Sequence, residues 1–314
     1  MDRVVQRLRS GNCRVVFLTG AGVSTSSGIP DFRSLGGMYD TLRPDLLTAS
    51  DAERDAMRRD PTVVVSWDLF RENQLPYLEL RRPFILGQII NESKKQPAWK
   101  PSLTHCFMSV CEKKGVLSRV YTQNIDGLDF HVPGLSHNKI IPVHGSLAKA
   151  ACEFCSSEVE YAAFASLVSE SIRDIYDESN GPKESSCIRC PKCQRPGLKP
   201  TTVLYGRSLP AEFFENAEGD VANADILFIN GTSLTVSPAN QLVPLARSAM
   251  RVLINRELVG KHLDFDPDVN ENDVALLGAC DDVMLRLSKE LGWHDDLVEL
   301  LPHMAESSRQ LMRN

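Results

Sequence analysis

Short apolar runs, separated by longer segments with helical spacing, set the pattern of this chain. The runs are rich in Val, Ile and Leu and do not alternate strictly with polar residues, which is typical of strands buried on both faces of a parallel sheet. They are residues 14–20, 117–121, 139–143, 201–205, 225–229 and 250–254. Helical spacing follows in segments such as 103–113 and 240–248. The alternation predicts an α/β fold with a doubly wound, Rossmann-like parallel sheet.

Two stretches interrupt this alternation and predict a second, smaller domain. Residues 40–98 are charged and largely helical in pattern, and residues 147–200 carry paired cysteines and a polar stretch. We interpret them as a helical insertion and a zinc-binding module that together form the small domain. The large domain would be built from residues 1–39, 99–146 and 201–293. The amphipathic pattern of residues 294–314 predicts a terminal helix.

Composition and charge exclude several classes of protein. Of the 314 residues, 42% are hydrophobic and 24% are charged, as in ordinary globular proteins. The net charge of -6 gives no support to a nucleic-acid-binding surface, and no apolar run of about 18 residues predicts a membrane span. We therefore expect neither a membrane nor a direct nucleic-acid partner. Residues 1–12 lack the apolar core of a secretory signal, so we expect the cytoplasm, with the nucleus as an additional compartment.

A glycine-rich turn, Gly20-Ala-Gly-Val-Ser-Thr-Ser-Ser-Gly28, follows the first predicted strand directly. Glycine lets a backbone turn tightly and approach a pyrophosphate, and a following helix would offer free N–H groups to the anion. Gly20 and Gly22 are the candidate phosphate-binding residues. Because the spacing G-x-G-x5-G differs from the dinucleotide fingerprint G-x-G-x-x-G, a plain strand-to-helix turn is the alternative.

Polar residues follow two further predicted strands. Gln123, Asn124 and Asp126 come after the second strand, and ligands bind at the carboxyl ends of strands in open α/β sheets. Their donors and acceptors would suit an amide-bearing ligand such as nicotinamide, with a strand-capping Asx-turn as the alternative. His144 follows the third strand in the same way. A histidine there could act as a general base near neutral pH or be a structural residue.

Paired cysteines predict one structural zinc site. Cys152-x-x-Cys155 and Cys190-x-x-Cys193 form two C-x2-C hooks, separated by 34 residues. Four thiolates so placed can close a tetrahedral site, which leaves no open position for chemistry on the metal. Cys187-x-x-Cys190 is an equally good hook by spacing. We prefer Cys190 and Cys193 because they lie nearer the next predicted strand.

In combination and order, these motifs resemble the sirtuin family of NAD-dependent protein deacylases, most of all its cytosolic class I branch. The resemblance runs from about Val15 to Trp293. Its motifs are Gly20-Ala-Gly-Val-Ser24 with Gly28-Ile-Pro-Asp-Phe-Arg33, Thr122-Gln-Asn-Ile-Asp126, His144-Gly145, the paired cysteine hooks, Gly231-Thr-Ser-Leu234 and Leu253-Ile-Asn255.

The resemblance implies a role for each matching position. His144 would be the catalytic base, with Asn124 as the second catalytic residue. The large domain would bind NAD through Gly20, Ala21, Gly22, Thr25, Asp31, Phe32, Arg33, Gln123, Asn124, Ile125, Asp126, Gly231, Thr232, Ser233, Asn255, Glu257 and Cys280. The substrate backbone would pair with Val203, Leu204, Tyr205 and Gly206, and face residues 235–238 on its other side. An apolar tunnel for the lysine would use Phe32, Ile125, Val203 and Tyr205.

The implied activity is NAD-dependent lysine deacetylation of proteins. NAD would be consumed as a co-substrate, and the products would be the free lysine, nicotinamide and O-acetyl-ADP-ribose. Acetylated proteins of the histone or cytoskeletal type would be the partners. Longer-chain deacylation and mono-ADP-ribosyl transfer are the alternatives for an enzyme. A non-catalytic NAD-sensing or zinc-module protein and a conventional NAD oxidoreductase are disfavoured by the motifs.

The chain departs from the family pattern beside the expected substrate strand. Tyr205-Gly206-Arg207 stands where the family usually has Phe-Gly-Glu, so an acid is replaced by a base. The loop after Gly127 is shortened, and residues 40–98 are longer than usual. No Tyr-x-x-Arg pair, which holds the acidic acyl group in succinyl-removing relatives, occurs in the sequence. We therefore expect weak desuccinylation and an altered peptide preference.

Overall fold

The computed structural model describes residues 1–29, 40–87 and 99–313, along which strands alternate with helices. The strands are β1 (Val15–Thr19), β2 (Leu117–Thr122), β3 (Ile140–Pro142), β4 (Ala150–Cys152), β5 (Glu158–Val159), β6 (Leu198–Pro200), β7 (Ile226–Asn230), β8 (Met250–Asn255) and β9 (Asp273–Leu277). The helices are α1 (Asp2–Arg9), α2 (Asp51–Arg59), α3 (Trp67–Glu72), α4 (Leu75–Gly87), α5 (Leu103–Lys113), α6 (Tyr161–Ser171), α7 (Ala211–Ala222), α8 (Leu242–Leu245), α9 (Cys280–Leu291), α10 (His294–Glu299) and α11 (Glu306–Arg313).

The described residues separate into two units. The first unit comprises residues 1–29, 99–144 and 209–313, and the second comprises residues 40–87 and 145–208. The domain boundaries given above stay a prediction. Among the described residues, no helix has both the length and the apolar character that a bilayer span requires.

A six-stranded parallel sheet organises the first unit, in the order β3-β2-β1-β7-β8-β9. The chain runs outward from β1 to one edge, then returns and builds the other half from β7. This reversal beside β1 is the topological switch point, outside which open α/β sheets bind ligands. The predicted α/β fold class with a Rossmann-like sheet is confirmed.

The strand register brings the carboxyl ends of the central strands level with one another. Thr19 at the end of β1 pairs with Thr122 of β2 on one side and with Asn230 of β7 on the other. Every residue of β1 and β7 is buried, and the Phe17 and Phe228 rings stack with centroids 5.0 Å apart. Burial on both faces explains why these strands are unbroken apolar runs.

The C-terminal residues form two helices rather than the single predicted terminal helix. A short 3-10 turn, Leu301–His303, separates α10 from α11, and Pro302 in it has no N–H for a continuing helix. The buried Ser308 hydroxyl donates to Asp281, which also accepts from the backbone N–H of Thr104. The tail is therefore fastened to the start of α5 and of α9.

The second unit has its own core around a three-stranded antiparallel sheet, in the order β5-β4-β6. Side chains from α3, α4 and α6, including Phe70, Leu78 and Phe164, are buried in this core. The core also holds charge: the Glu79 carboxylate, with a side chain 0% exposed, accepts from Thr48, Arg173 and Ser185. A buried carboxylate is stable only when its oxygens are paired in this way.

Three sequence predictions of elements were wrong in part. The expected strand at 201–205 does not form, because β6 ends at Pro200. Among the described residues, the only strand-like pairing within 201–205 is an isolated bridge between Ser66 and Tyr205. Residues 240–248 form a 3-10 turn and the short α8 rather than one helix. The sixth parallel strand, β9, was not predicted, although Val274–Leu277 form a short apolar run; most of its residues are partly exposed.

Candidate active site and metal centre

Two glycine turns interlock at the switch point of the parallel sheet. The turn after β1 and the turn after β7 are joined by a hydrogen bond from the Gly22 N–H to the Gly231 carbonyl, 2.8 Å long. A Cβ on Gly22 would lie 2.7 Å from the Gly231 Cα, and a Cβ on Gly231 would lie 2.7 Å from the Gly22 carbonyl carbon. Because Gly231 also has a φ of +58°, only glycine fits both requirements there.

The turns present unpaired backbone donors. The N–H groups of Ala21, Thr232 and Ser233 make no hydrogen bond to any described residue. Within the first turn, residues 21–23 and 25–27 form two short 3-10 turns. The helix predicted to follow this turn falls on residues 30–39, which lie outside the described residues. Anion binding here would therefore depend on individual N–H groups and close backbone approach more than on a long helix dipole.

A buried hydrogen-bond network holds the turn after β2 against the first glycine turn. The Asn124 side-chain amide donates to the Gly20 carbonyl and to the Ser24 hydroxyl, each at 3.1 Å. Ser24 in turn donates to the Asp126 carboxylate at 2.7 Å. Both Asn124 amide hydrogens are therefore used within the protein, and its side-chain oxygen is the remaining acceptor.

Gln123 and Thr232 connect the ends of β2 and β7. The Gln123 side-chain amide donates to the Thr232 hydroxyl at 3.0 Å, and the Gln123 N–H donates to the Thr19 carbonyl at 2.9 Å. Gln123 thus spans the end of β1, where the three central strands finish. Ile125 is buried at the same turn, with 8% of its surface exposed.

The tautomer of His144 is fixed by its surroundings. Its Nδ1 lies 2.9 Å from the Gln123 carbonyl oxygen, which can only accept, so Nδ1 carries the proton. Nε2 is then an unprotonated acceptor; it is buried and has no hydrogen-bond partner among the described residues. Burial lowers the pKa of His144 below its usual 6.5, against the opposing effect of the Gln123 carbonyl. The side chain is therefore a neutral imidazole, poised to take a proton.

A second buried histidine lies behind this network. The ligand-forming atoms of His105, Asp126 and Asp129 lie within 4.8 Å of one another, and all of the side chains are buried. His105 Nδ1 accepts from the Ser102 N–H at 3.2 Å, which leaves the proton of a neutral ring on Nε2. Nε2 of His105 is buried and makes no hydrogen bond to any described residue, and a metal there would require the loss of its proton.

The ends of β8 and β9 contribute the remaining residues of the first unit. The Asn255 side-chain amide donates to the Glu257 carbonyl at 3.0 Å, which closes the turn after β8. The buried Cys280 thiol at the start of α9 lies 3.6 Å from the Ile254 carbonyl. Burial, and to a lesser extent Asp281, raises the pKa of Cys280 to about 12, so it is a neutral thiol.

In the second unit, residues 203–206 follow β6 and carry several unpaired backbone groups. Tyr205 donates its N–H to the Val65 carbonyl at 3.0 Å and accepts from the Trp67 N–H at 2.9 Å. The N–H and C=O of Val203 and the N–H of Leu204 have no hydrogen-bond partner among the described residues. Gly206, with a φ of +88°, ends the segment. Unpaired backbone groups such as these can pair with an extended peptide.

Four cysteines of the second unit form the predicted metal centre. The sulfurs of Cys152, Cys155, Cys190 and Cys193 lie within 4.8 Å of one another. The Cys152 and Cys193 sulfurs are 3.6 Å apart, and those of Cys155 and Cys190 are 3.7 Å apart. Tetrahedral zinc with bonds of about 2.3 Å requires sulfurs separated by about 3.8 Å. The set fits a structural zinc ion, whereas Cys187 is exposed and lies outside the set.

The structure thus brings some candidate residues together and leaves others apart. His144 and the residues that follow β1, β2 and β7 all lie at the carboxyl ends of strands of the parallel sheet. Thr25, which is exposed, donates its hydroxyl to the Gly22 carbonyl at 3.0 Å. Asp31, Phe32 and Arg33 lie outside the described residues. Ser24 was not assigned a role from the sequence, although its place inside the glycine turn was the available signal.

Comparison with known proteins gives a consistent result over most of the chain. The Sir2 family model matches residues 20–78 and 76–238. The NAD-dependent protein deacetylase sirtuin-2 of Danio rerio is 33% identical over 96% of this chain and 74% of its own length. The NAD-dependent protein deacetylase hst2 of Schizosaccharomyces pombe is 32% identical over 98% of this chain and 81% of its own length.

A solved chain from work on the mechanism and regulation of Sir2 enzymes has the same fold. It superposes with a TM-score of 0.66 over 92% of this chain and 96% of its own length, at 23% identity. The predicted resemblance is therefore confirmed by the motif order, the family match and relatives that share about a third of their residues with this chain. The protein belongs to the Sir2 family.

Proposed function

We propose that the protein is an NAD-dependent deacetylase that removes acetyl groups from lysine side chains of other proteins. One observation carries the chemical part: His144 has an unprotonated, buried Nε2 at the sheet edge where the glycine turns meet. The similarity to the NAD-dependent protein deacetylases sirtuin-2 and hst2 supports the same reaction. The products would be the free lysine, nicotinamide and O-acetyl-ADP-ribose.

The site would hold NAD across the switch point. Unpaired N–H groups of Ala21, Thr232 and Ser233 would meet the phosphates, and Gly20, Gly22 and Gly231 allow close backbone approach. Asn255, Glu257 and Cys280, on the β8 side, would contact the adenosine end. Gln123, Asn124, Ile125 and Asp126, on the β2 side, would contact the nicotinamide end. When bound, NAD supplies the sugar that accepts the acyl group.

The protein's own residues would then do three things. His144 Nε2 would take a proton from a ribose hydroxyl, since it is the unprotonated nitrogen of the ring. The Ser24–Asn124–Asp126 network would keep the turn after β2 in place while this happens. The unpaired backbone groups of Val203 and Leu204 would pair with the substrate backbone, a mode that reads few side chains and so tolerates many sequences.

Zinc would stabilise the second unit and take no part in the chemistry. Four thiolates close its coordination shell, so no position is left for a substrate. Such a site needs reduced cysteines, which supports the cytoplasm, with the nucleus as an additional compartment, as the place of action. Acetylated proteins in these compartments would be the partners.

Mass spectrometry of an acetyl-lysine peptide tests this proposal. The peptide is incubated with the protein with and without NAD, beside a His144→Ala variant that keeps its zinc and melting temperature. We expect loss of the acetyl mass and equal nicotinamide release, both dependent on NAD, with the variant slower by at least about 100-fold. Consumption of NAD without acetyl loss would instead indicate ADP-ribosyl transfer or a longer acyl substrate. A folded, zinc-loaded protein that consumes no NAD would contradict an enzymatic role.

A further inference from the structure

Arg207 lies directly after the segment proposed to bind the substrate backbone. Its N–H donates to the Leu204 carbonyl at 3.0 Å, so the chain turns back at this point and leaves the Arg207 side chain beside the segment. About half of that side chain, 47%, is exposed to solvent. A charge in this position would face a residue near the acetyl-lysine of any peptide paired along residues 203–206.

The charges around Arg207 do not cancel. The Glu153 carboxylate is shared: one oxygen lies 3.0 Å from Arg207 Nε and the other lies 3.0 Å from Lys199 Nζ. Lys199 is 2% exposed and also donates to the carbonyls of Pro200 and Thr202, so its charge is held inside the protein. One carboxylate between two cations leaves a net positive charge, and Arg207 is the member of the group that reaches solvent.

The Arg207 side chain packs against a pair of aromatic rings. The Arg207 guanidinium lies 4.9 Å from the centre of the Trp67 ring, which lies 5.6 Å from the ring of Phe154. The exposed Arg195 stacks on the other ring of this pair, with its guanidinium 3.6 Å from the Phe154 centroid. Two guanidinium groups, those of Arg207 and Arg195, therefore stack on this pair of rings and give it two positive charges.

The acidic side chains near Trp67 also form ion pairs. Asp68 and Glu72 share Arg71, at 3.7 Å and 3.4 Å, and all three side chains are exposed. Arg207 is nevertheless the charged side chain that directly follows residues 203–206 in the chain, and about half of it is exposed.

We infer that Arg207 is a specificity-determining residue, which selects acetyl-lysine peptides with acidic side chains next to the acetyl-lysine. The inference rests on the proposed function and names its substrate class. The family usually has a glutamate at this position, and a carboxylate there would repel the same peptides.

A pair of matched peptides tests the inference. The two have one central acetyl-lysine and differ only in having two Glu or two Lys residues on each side of it. The kcat/KM values for nicotinamide release are compared for the wild type and for Arg207→Gln, Arg207→Glu and Arg207→Lys. We expect the wild type and Arg207→Lys to prefer the acidic peptide. Arg207→Gln should weaken the preference by about two- to fivefold, as expected for loss of one exposed ion pair, and Arg207→Glu should reverse it.

Two controls separate this effect from general charge and from folding. Arg247→Gln removes the same charge from an exposed pair with Asp264 in the first unit and should leave the preference unchanged. Zinc content shows that each variant is folded, and salt of about 0.5 M should reduce the wild-type preference because it screens exposed charges. Equal preference in wild type and Arg207→Glu would overturn the inference while leaving deacetylation intact. Failure to deacetylate either peptide would overturn the proposed function and the inference with it.

Discussion

The proton on His144 is the residue-scale feature from which the chemistry follows. A histidine at a strand end was visible in the sequence, but its tautomer was not. The tautomer depends on the Gln123 carbonyl, which follows β2, whereas His144 follows β3. The same holds for Ser24, whose hydroxyl reaches Asp126 across 102 positions of sequence. Residue identities in motifs are thus predictable, whereas hydrogen-bond partners require the fold.

The pH dependence of the reaction should report the burial of His144. A general base acts when it is unprotonated, and burial holds the pKa of His144 below 6.5. The imidazole is then neutral at pH 7, and kcat/KM should fall with decreasing pH only below 6.5. Rates measured from pH 5 to 8 check this, with His303→Gln, an exposed histidine, as a control of unchanged profile. An acidic limb centred above pH 6.5 would contradict the assignment.

At the scale of elements, apolar runs predicted the strands that are buried on both faces. Predictions from apolar runs were wrong where an element depends on residues that are distant in the sequence. Residues 201–205 are apolar enough for a strand. However, the Lys199 ammonium group donates a hydrogen bond to the Thr202 carbonyl, and Gly206 turns the chain, so no β-ladder forms there. The partly exposed β9 has a short apolar run but was missed, and among the described strands it pairs with β8 alone, at the sheet edge. Propensity and periodicity do not contain this information.

Replacing Gly231 by alanine tests the contact between the two glycine turns. The new Cβ would lie 2.7 Å from backbone atoms of Gly22 and Val23, at a φ of +58°. Backbone atoms cannot give way as a side chain can, so we expect a loss of at least about 2 kcal/mol in the free energy of unfolding. Weaker NAD binding should accompany it, since the turn would move.

Gly219 offers the matched control for this substitution. It lies inside α7, and a Cβ there would meet nothing within 4 Å. Gly219→Ala should therefore raise stability by about 0.5–1 kcal/mol, because alanine favours a helix. Chemical denaturation and NAD titration of both variants measure the difference. Equal stability of Gly231→Ala and wild type would show that the turns do not interlock as described.

At the scale of the whole molecule, we expect the metal centre to stabilise the second unit. Its ligands come from two hooks that close a loop of 34 intervening residues, so metal binding supplies free energy that the unit's small core would otherwise lack. Spacing alone left Cys187 and Cys193 as alternatives. The fold separates them, because Cys193 is in the sulfur cluster and Cys187 is exposed.

Two serine substitutions test this separation directly. Cys193→Ser should release zinc and lower the melting temperature, while Cys187→Ser should keep one zinc ion per chain and the wild-type melting curve. Metal analysis by mass spectrometry and thermal unfolding are the measurements. Zinc retained by Cys193→Ser and lost by Cys187→Ser would reassign the second hook to Cys187 and Cys190.

The choice of acyl group is a property of the whole enzyme, since it depends on what lines the path of the lysine. The residues that the resemblance implies there, among them Ile125, Val203 and Tyr205, are mainly apolar by residue type, and the sequence has no Tyr-x-x-Arg pair to meet a carboxylate. Burying the succinyl carboxylate without a cationic partner is strongly unfavourable. Succinyl-lysine should therefore react at least about tenfold more slowly than acetyl-lysine in an otherwise identical peptide, by kcat/KM for nicotinamide release. A succinyl rate that equals or exceeds the acetyl rate would require a cation in that path, and Arg207→Gln would show whether Arg207 provides it.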